Sequence, residues 1–230
     1  MAEDTTTPDL EFLYVGDPMC SWCWGFAPVL ERLDSRYDVP IRTITGGLRP
    51  GDRAEPLDDR MRRFLAHHWE QVEDASGQPF DHATLGREGW VYDTEPSCRA
   101  VVAMREIAPA ETLRWFARVQ RAFYAEGLDV TDLDTFPDLL DDFDVDPVKY
   151  AEVLRTDETL ERTHADFALA QRLGVFGFPT LLLRDGDESA SVTRGFVPWE
   201  HLEPRLTAWF QDTFGESAEG LVCDLDGDLC

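Results

Sequence analysis

A short apolar run, Glu11 to Val15 (EFLYV), ends at Gly16-Asp17-Pro18 and is followed at once by Cys20-Ser21-Trp22-Cys23. Glycine and proline break extended structure, so the run reads as a strand and the two cysteines fall at the opening of the next element. From Cys20 to about Arg36, apolar residues Trp24, Phe26, Val29, Leu30 and Leu33 recur at helical spacing. Ile41 to Thr45 (IRTIT) then alternates like a strand and stops at Gly46-Gly47. Together these form a β-α-β unit, which requires a parallel strand pair joined by a right-handed crossover. The chain is thereby committed to layered α/β architecture with two thiols at the mouth of its first helix.

From residue 51 to about residue 170 the character changes. Leu57 to Val72 carries Met61, Phe64, Leu65 and Trp69 on one helical face. Ser97 to Ile107, Glu111 to Ala125, Leu133 to Phe143 and Pro147 to Arg155 read as further helices, and Leu160 to Leu173 as a long one ending at Gly174. No strand is expected in this block. Pro179 to Arg184 (PTLLLR) is a buried-strand candidate, Asp185-Gly186-Asp187 a turn, and Ser191 to Phe196 (SVTRGF) the partner strand of a hairpin. Trp199 to Phe214 closes the pattern as an amphipathic helix. The order β-α-β, helical block, β-β-α predicts a four-stranded mixed sheet: an α/β, thioredoxin-like fold with a helical insertion between its two halves. The expected organisation is a discontinuous thioredoxin-like domain of residues 8–50 and 171–215, a helical insertion of residues 51–170 and an acidic tail of residues 216–230.

Charge excludes several classes of partner. Asp and Glu number 46 against 21 Lys and Arg, a net charge of −25, and Lys149 is the only lysine. Phosphate recognition needs clustered cations, so neither nucleic acid nor an anionic membrane is an expected partner. The acid is spread along the chain. That pattern favours adaptation of the whole surface to high salt, where self-repulsion is screened, over a dedicated acidic face for a basic partner. The N-terminus, MAEDTTTPDL, has no basic region or apolar run of a secretory signal, and no stretch approaches a membrane span. The expected compartment is the cytoplasm. An odd number of cysteines, 5, in such a chain argues against a structural disulfide framework and for a redox or metal role.

The position of the Cys20–Cys23 pair has chemical consequences. Unpaired N–H groups and the dipole at a helix N-terminus stabilise an anion, so a thiolate there is expected at a lowered pKa, and the thiolate is the attacking species. A two-residue spacer lets both sulfurs meet across one helical turn and close a disulfide. Cys20, expected on the exposed first position, is the candidate nucleophile, and Cys23, one turn deeper, the resolving thiol. The rival is half a zinc site, which needs further ligands. The chain has no second Cys-x-x-Cys, and His67-His68 are adjacent rather than at ligand spacing. No metal and no cofactor are expected. Gly174 to Thr180 (GVFGFPT) places Pro179 just before a strand. A proline there need not donate to the ladder, and it can be held cis. Beside the cysteines, such a bond would leave the backbone of Phe178 free to pair with a substrate.

Three motifs, DPMCSWCWGFAP at 17–28, EPSCRAVVA at 95–103 and GVFGFPT at 174–180, resemble the DsbA family and, more narrowly, its FrnE-like subgroup. The resemblance runs from about residue 11 to residue 214. It implies a thioredoxin fold with a helical insertion, dithiol–disulfide exchange, redox cysteines at Cys20 and Cys23, and a cis-proline at Pro179 beside them. One departure stands out. The family's best-known periplasmic form has a proline–histidine pair between its cysteines where this chain has Ser21-Trp22. Without a neighbouring cation the thiolate gains less, which implies a weaker oxidant. Kappa-type glutathione transferases and 2-hydroxychromene-2-carboxylate isomerases share the element order, but they usually have serine where Cys20 stands and use glutathione. A third class is a partner-binding protein that uses its helical lobe without redox chemistry.

Other residues carry two readings each. Ser21, Trp22, Trp24, Phe178 and Thr180 are candidates to shape the site, with Trp22 and Trp24 lining a groove or belonging to the core. Asp17 is read as a turn residue, with proton transfer as the alternative, and Cys98 as a small buried hydrophobe. The tail CDLDGDLC, Cys223 to Cys230, reads as a second dithiol, as a metal clip using Asp224, Asp226 and Asp228, or as an acidic tail with incidental thiols. Expected partners are protein or low-molecular-weight thiols and disulfides, together with a redox partner.

Overall fold

The structure, a computed structural model, describes residues 10–215 and Leu221. Strand β1 (Leu10–Gly16) is central. It pairs in parallel with β2 (Ile41–Thr45), Phe12 facing Ile41 and Gly16 facing Thr45, and antiparallel with β5 (Thr180–Asp185), Leu10 facing Asp185. A tight turn through Gly186, at φ +56, returns the chain into β6 (Glu188–Arg194), giving the mixed order β2-β1-β5-β6. The run EFLYV is apolar on both faces because both are covered. Phe12 and Tyr14 pack into the large aromatic core, with Phe26 and Leu33 of helix α1 (Ser21–Arg36) and Phe210 of the last helix. Leu13 and Val15 point the other way, into a smaller cluster with Ile44, Ala170, Val175 and Leu182.

The insertion supplies α2 (Asp59–Ser76), α3 (Glu95–Ile107), α4 (Thr112–Tyr124), α5 (Pro147–Leu154) and α6 (Asp157–Arg172), and the chain closes with α7 (Trp199–Phe214). Caps account for the shifted starts. Asp58 accepts from the Met61 N–H and opens α2, while Gly77, at φ +72, ends it. Thr156 accepts from the Thr159 N–H, and Asp157 and Glu158 favour the first turn of α6, which therefore starts before Leu160.

Two expectations for this block are corrected. It is not free of strands: β3 (Glu55–Pro56) and β4 (Val91–Tyr92) form a short antiparallel pair, Glu55 facing Tyr92. Two-residue strands are too short to show a period of two. Leu133 to Phe143 is not a helix; it is turns with one 3-10 segment, Phe136–Leu139. In and just before this stretch, aspartate side chains capture the local backbone: Asp129 accepts from the Thr131 N–H at 2.9 Å and Asp132 from the Asp134 N–H at 2.9 Å. Such bonds compete directly with the helical ladder.

A part-buried ion pair stitches the insertion to the sheet. Arg105 of α3 donates to both carboxylate oxygens of Asp166 on α6, at 2.9 and 3.0 Å, and to the Thr43 carbonyl at 3.0 Å. Asp166 also accepts from the N–H and hydroxyl of Thr45 at the end of β2. The bidentate geometry and extra donors offset part of the cost of burying the charges.

Candidate active site

Strand β1 ends in Gly16, and the following turn is built by Asp17. Its backbone carbonyl accepts from the Cys20 N–H at 3.0 Å and its carboxylate from the Met19 N–H at 2.8 Å. That turn sets Cys20 as the N-cap of α1, in extended conformation at φ −90 and ψ 116, with helix from Ser21 onward. The N–H groups of the first turn have no partner within the helix and face the thiol end. Cys23, one turn on, is fully buried. The expectation that Cys20 lies exposed is corrected: it is 6% exposed, because the loop before β5 closes over it.

That loop carries the cis peptide Phe178–Pro179. The Phe178 carbonyl accepts from the Cys20 thiol, Sγ to O 3.7 Å, while the Pro179 carbonyl is taken by the Gly195 N–H at 2.7 Å. The Phe178 ring occupies the space above Gly46, where an added Cβ would sit 2.1 Å from it. This explains one of the two glycines after β2: Gly46 makes room for the ring that positions the loop. Thr180, nearly buried, donates its hydroxyl to the Gly177 carbonyl at 2.8 Å and steadies the same loop. Ser21 and Trp22 are partly exposed beside the thiols, Trp22 lying 5.6 Å from the Phe196 ring. Trp24 belongs to the core, stacked on Tyr124 at 6.2 Å. Cys223 and Cys230, with Asp224, Asp226 and Asp228, lie outside the described residues.

Behind the pair stands a polar wall. The Asp17 carboxylate is fully buried and accepts from the Leu48 N–H at 2.6 Å and from the Cys98 thiol at 3.4 Å, besides Met19. The turn reading of Asp17 is therefore correct but incomplete. Tyr92 donates to the Met19 carbonyl, and the buried Tyr14 hydroxyl has no hydrogen-bond partner, with Cys23 and Cys20 among its neighbours. The motif at 95–103 serves this wall. Thr94 exchanges two hydrogen bonds with Arg49, Glu95 pairs with Arg99, and Cys98 is presented to Asp17. Burial pushes the Cys23 thiol well above the usual range, and the adjoining Cys20 adds to the shift. Burial also raises Asp17, against the pull of the N–H groups that hydrogen-bond its charged form. Cys98 is raised by burial and then by the Asp17 charge.

Sequence reasoning missed Tyr14 and Tyr92 because nothing in their local pattern separates them from core residues. It also missed Phe176, which stands 85% exposed in the loop beside the thiols; a large apolar residue between two glycines was the available signal. Among the described residues no cluster of three or more His, Cys, Asp or Glu side chains could hold a metal ion, and no helix is long and apolar enough to cross a membrane.

The chain is similar to several known proteins. A candidate protein disulfide isomerase from Nitrosomonas europaea is 37% identical and superposes with a TM-score of 0.81, covering 89% of this chain and 98% of its own. The cytosolic disulfide reductase DsbM from Pseudomonas aeruginosa is 23% identical with a TM-score of 0.74, covering 88% of this chain and 100% of its own. The same reductase solved with GSH matches at 25% identity and a TM-score of 0.69, covering 88% and 98%. The ClpXP adapter protein SpxH of Halalkalibacterium halodurans is 22% identical over 197 residues, 83% of this chain; the chain spans 64% of that relative's length. Residues 14–207 match the DSBA-like thioredoxin domain, and the chain belongs to that family.

Proposed function

We propose that the chain is a thiol–disulfide oxidoreductase in which Cys20 exchanges with substrate and Cys23 resolves. The observation that carries this is the Cys20 thiol at the N-cap of α1, directed at the Phe178 carbonyl with Cys23 buried one turn behind it. In the oxidising direction a substrate thiolate attacks Cys20 Sγ in the Cys20–Cys23 disulfide. The S–S bond breaks and Cys23 leaves as a thiolate, which its buried setting drives to take up a proton. A second substrate thiolate then attacks the substrate sulfur of the mixed disulfide and releases Cys20 as a thiolate. Two electrons pass from the substrate thiols to the enzyme pair. The reducing direction is the same sequence reversed.

For the small-thiol substrate we infer glutathione, and for the direction, reduction of disulfides in the cytoplasm. The support is the 25% identical cytosolic reductase solved with GSH, together with Ser21-Trp22, which leave the site without a cation between the cysteines. The test is glutathione-driven reduction of hydroxyethyl disulfide. Cys20→Ser should lower the rate by about a thousandfold, since a hydroxyl is not ionised at neutral pH. Cys23→Ser should accumulate a glutathione adduct on Cys20, visible by intact mass. A Cys20→Ser variant with the parent rate would end the proposal.

Partner binding without redox chemistry is a second reading, carried by the similarity to the adapter SpxH. It requires a partner complex that survives in the Cys20→Ser, Cys23→Ser double variant, with no change in the partner's thiols.

A further inference from the structure

Away from the thiols, a cleft of about 970 Å³ lies between α1 and α4. Trp24, Ala27 and Leu30 of α1 and Leu113 and Phe116 of α4 form its apolar walls. Gln120 of α4 is among the residues that line it; it is 1% exposed, and its side-chain Oε1 and Nε2 both lack a hydrogen-bond partner. Burying a carboxamide without partners is costly, and unlike an acid it cannot relieve the cost by changing its protonation. The cleft is otherwise well satisfied. Pro28 has no N–H for the Trp24 carbonyl one turn back, and Gln78 Nε2 supplies the missing donor at 3.0 Å. Gln120 is the exception, a buried donor and acceptor without partners behind the apolar walls.

The charges around the cleft are uneven. Its three arginines are engaged within the protein: Arg114 with Glu111 and the Asp142 carbonyl, and Arg118 and Arg121 with Glu126. Glu31 and Asp34, exposed on the α1 side, make no hydrogen bond or ion pair among the described residues. A ligand that matches both features carries an amide for Gln120 and a cation for the acidic side.

We propose that this cleft binds an extended basic peptide segment of a partner protein. The buried Gln120 side chain turns toward the cleft, where one backbone C=O accepts from its Nε2 and a neighbouring N–H donates to its Oε1. An apolar side chain packs against Ala27 and Leu113, the half-buried residues of the two walls, and an arginine or lysine reaches Glu31 and Asp34. Trp24, Ala27 and Glu31 follow Cys20 at steps of four, three and four, so the cleft continues along the same side of α1 as the nucleophile. The proposal does not depend on the thiol chemistry and holds equally in the Cys20→Ser variant.

The test titrates the full-length protein with the capped peptide acetyl-Ala-Arg-Leu-Arg-Ala-amide and its glutamate counterpart by calorimetry, and follows the Gln120 side-chain amide by NMR. The basic peptide should bind and shift that amide, and the acidic one should not. Gln120→Leu removes the unpartnered group, so it should melt no lower than the parent while binding about tenfold more weakly. Glu31→Gln with Asp34→Asn, both at the surface, should also weaken binding about tenfold and flatten its salt dependence. At a net charge of −25 a basic peptide can be held unspecifically, so Gln120→Leu decides between the two. Parent-like binding by Gln120→Leu, equal binding of the two peptides, or an unmoved Gln120 resonance overturns the proposal. A lower melting point of Gln120→Leu without peptide binding by the parent overturns it as well and assigns the Gln120 amide to water.

Discussion

The first turn of α1 is flanked by two parts of the molecule that differ in kind. On one side the sheet half presents backbone: the Phe178 carbonyl, the cis bond to Pro179, and Phe176 standing in solvent. On the other side the insertion presents sealed side chains: Cys98 on Asp17, Tyr92 on the Met19 carbonyl, Thr94 on Arg49. The first flank is built around a carbonyl that already receives the Cys20 thiol. The second is closed, with Cys98 and Tyr92 fully or almost fully buried and bonded to the turn. The difference fits the proposed exchange: the sheet half is the side from which a substrate would approach Cys20, and the insertion braces the turn that makes Cys20 an N-cap.

The largest effect expected from breaking this division is at Asp17. Asp17→Ala leaves the Met19 and Leu48 N–H groups and the Cys98 thiol unpaired in a buried site, at a cost of about 3 kcal/mol in urea unfolding. A loss below about 1 kcal/mol would show that the insertion flank does not hold the turn. Next is Gly46→Ala, whose methyl group would meet the Phe178 ring. We expect a loss of about 2 kcal/mol from overpacking, and exchange slowed by about tenfold as the carbonyl moves off Cys20. Cys98→Ala should cost about 1 kcal/mol, the net worth of one hydrogen bond, and leave exchange turnover unchanged. A turnover fall of about tenfold would bring the insertion flank into the chemistry.

The smallest effect is linked to pH. Cys23 holds its proton to higher pH in the folded dithiol protein than in the unfolded chain, where the ordinary value is 9.0. The stability it contributes is therefore complete below that value and is lost as pH rises through the folded pKa. Unfolding midpoints of the dithiol protein should fall on the alkaline side of pH 9.0, and Cys23→Ala should make the fall shallower. Identical slopes would mean that burial does not hold the Cys23 proton.

The sheet half was legible because its strands are long enough to show their pattern and are bounded by Gly16, Gly46-Gly47 and Gly186. Pro179 was legible from its place before a strand in a chain that also has the cysteine pair. The insertion was legible in its long helices and not in its short pieces. The pair Glu55–Pro56 and Val91–Tyr92 has too few residues to alternate, and the aspartates that turn residues 129–135 look, in one dimension, like the polar face of a helix.

From the order of residues alone came the β-α-β opening, the returning hairpin, the insertion between them and two thiols one turn apart at a helix start. These are local matters, settled by periodicity, by breakers and by the spacing of two side chains on one helix. Folding in three dimensions decided which groups surround the thiols. Cys98 lies 81 positions from Asp17 and the Phe178 carbonyl 158 from Cys20, and their meeting depends on how α3 and β5 pack against β1 and α1. Burial is likewise a property of the packed whole. That is why the raised pKa values of Cys23 and Asp17, the near-closure of Cys20 and the unpartnered amide of Gln120 could be read only once the chain had folded.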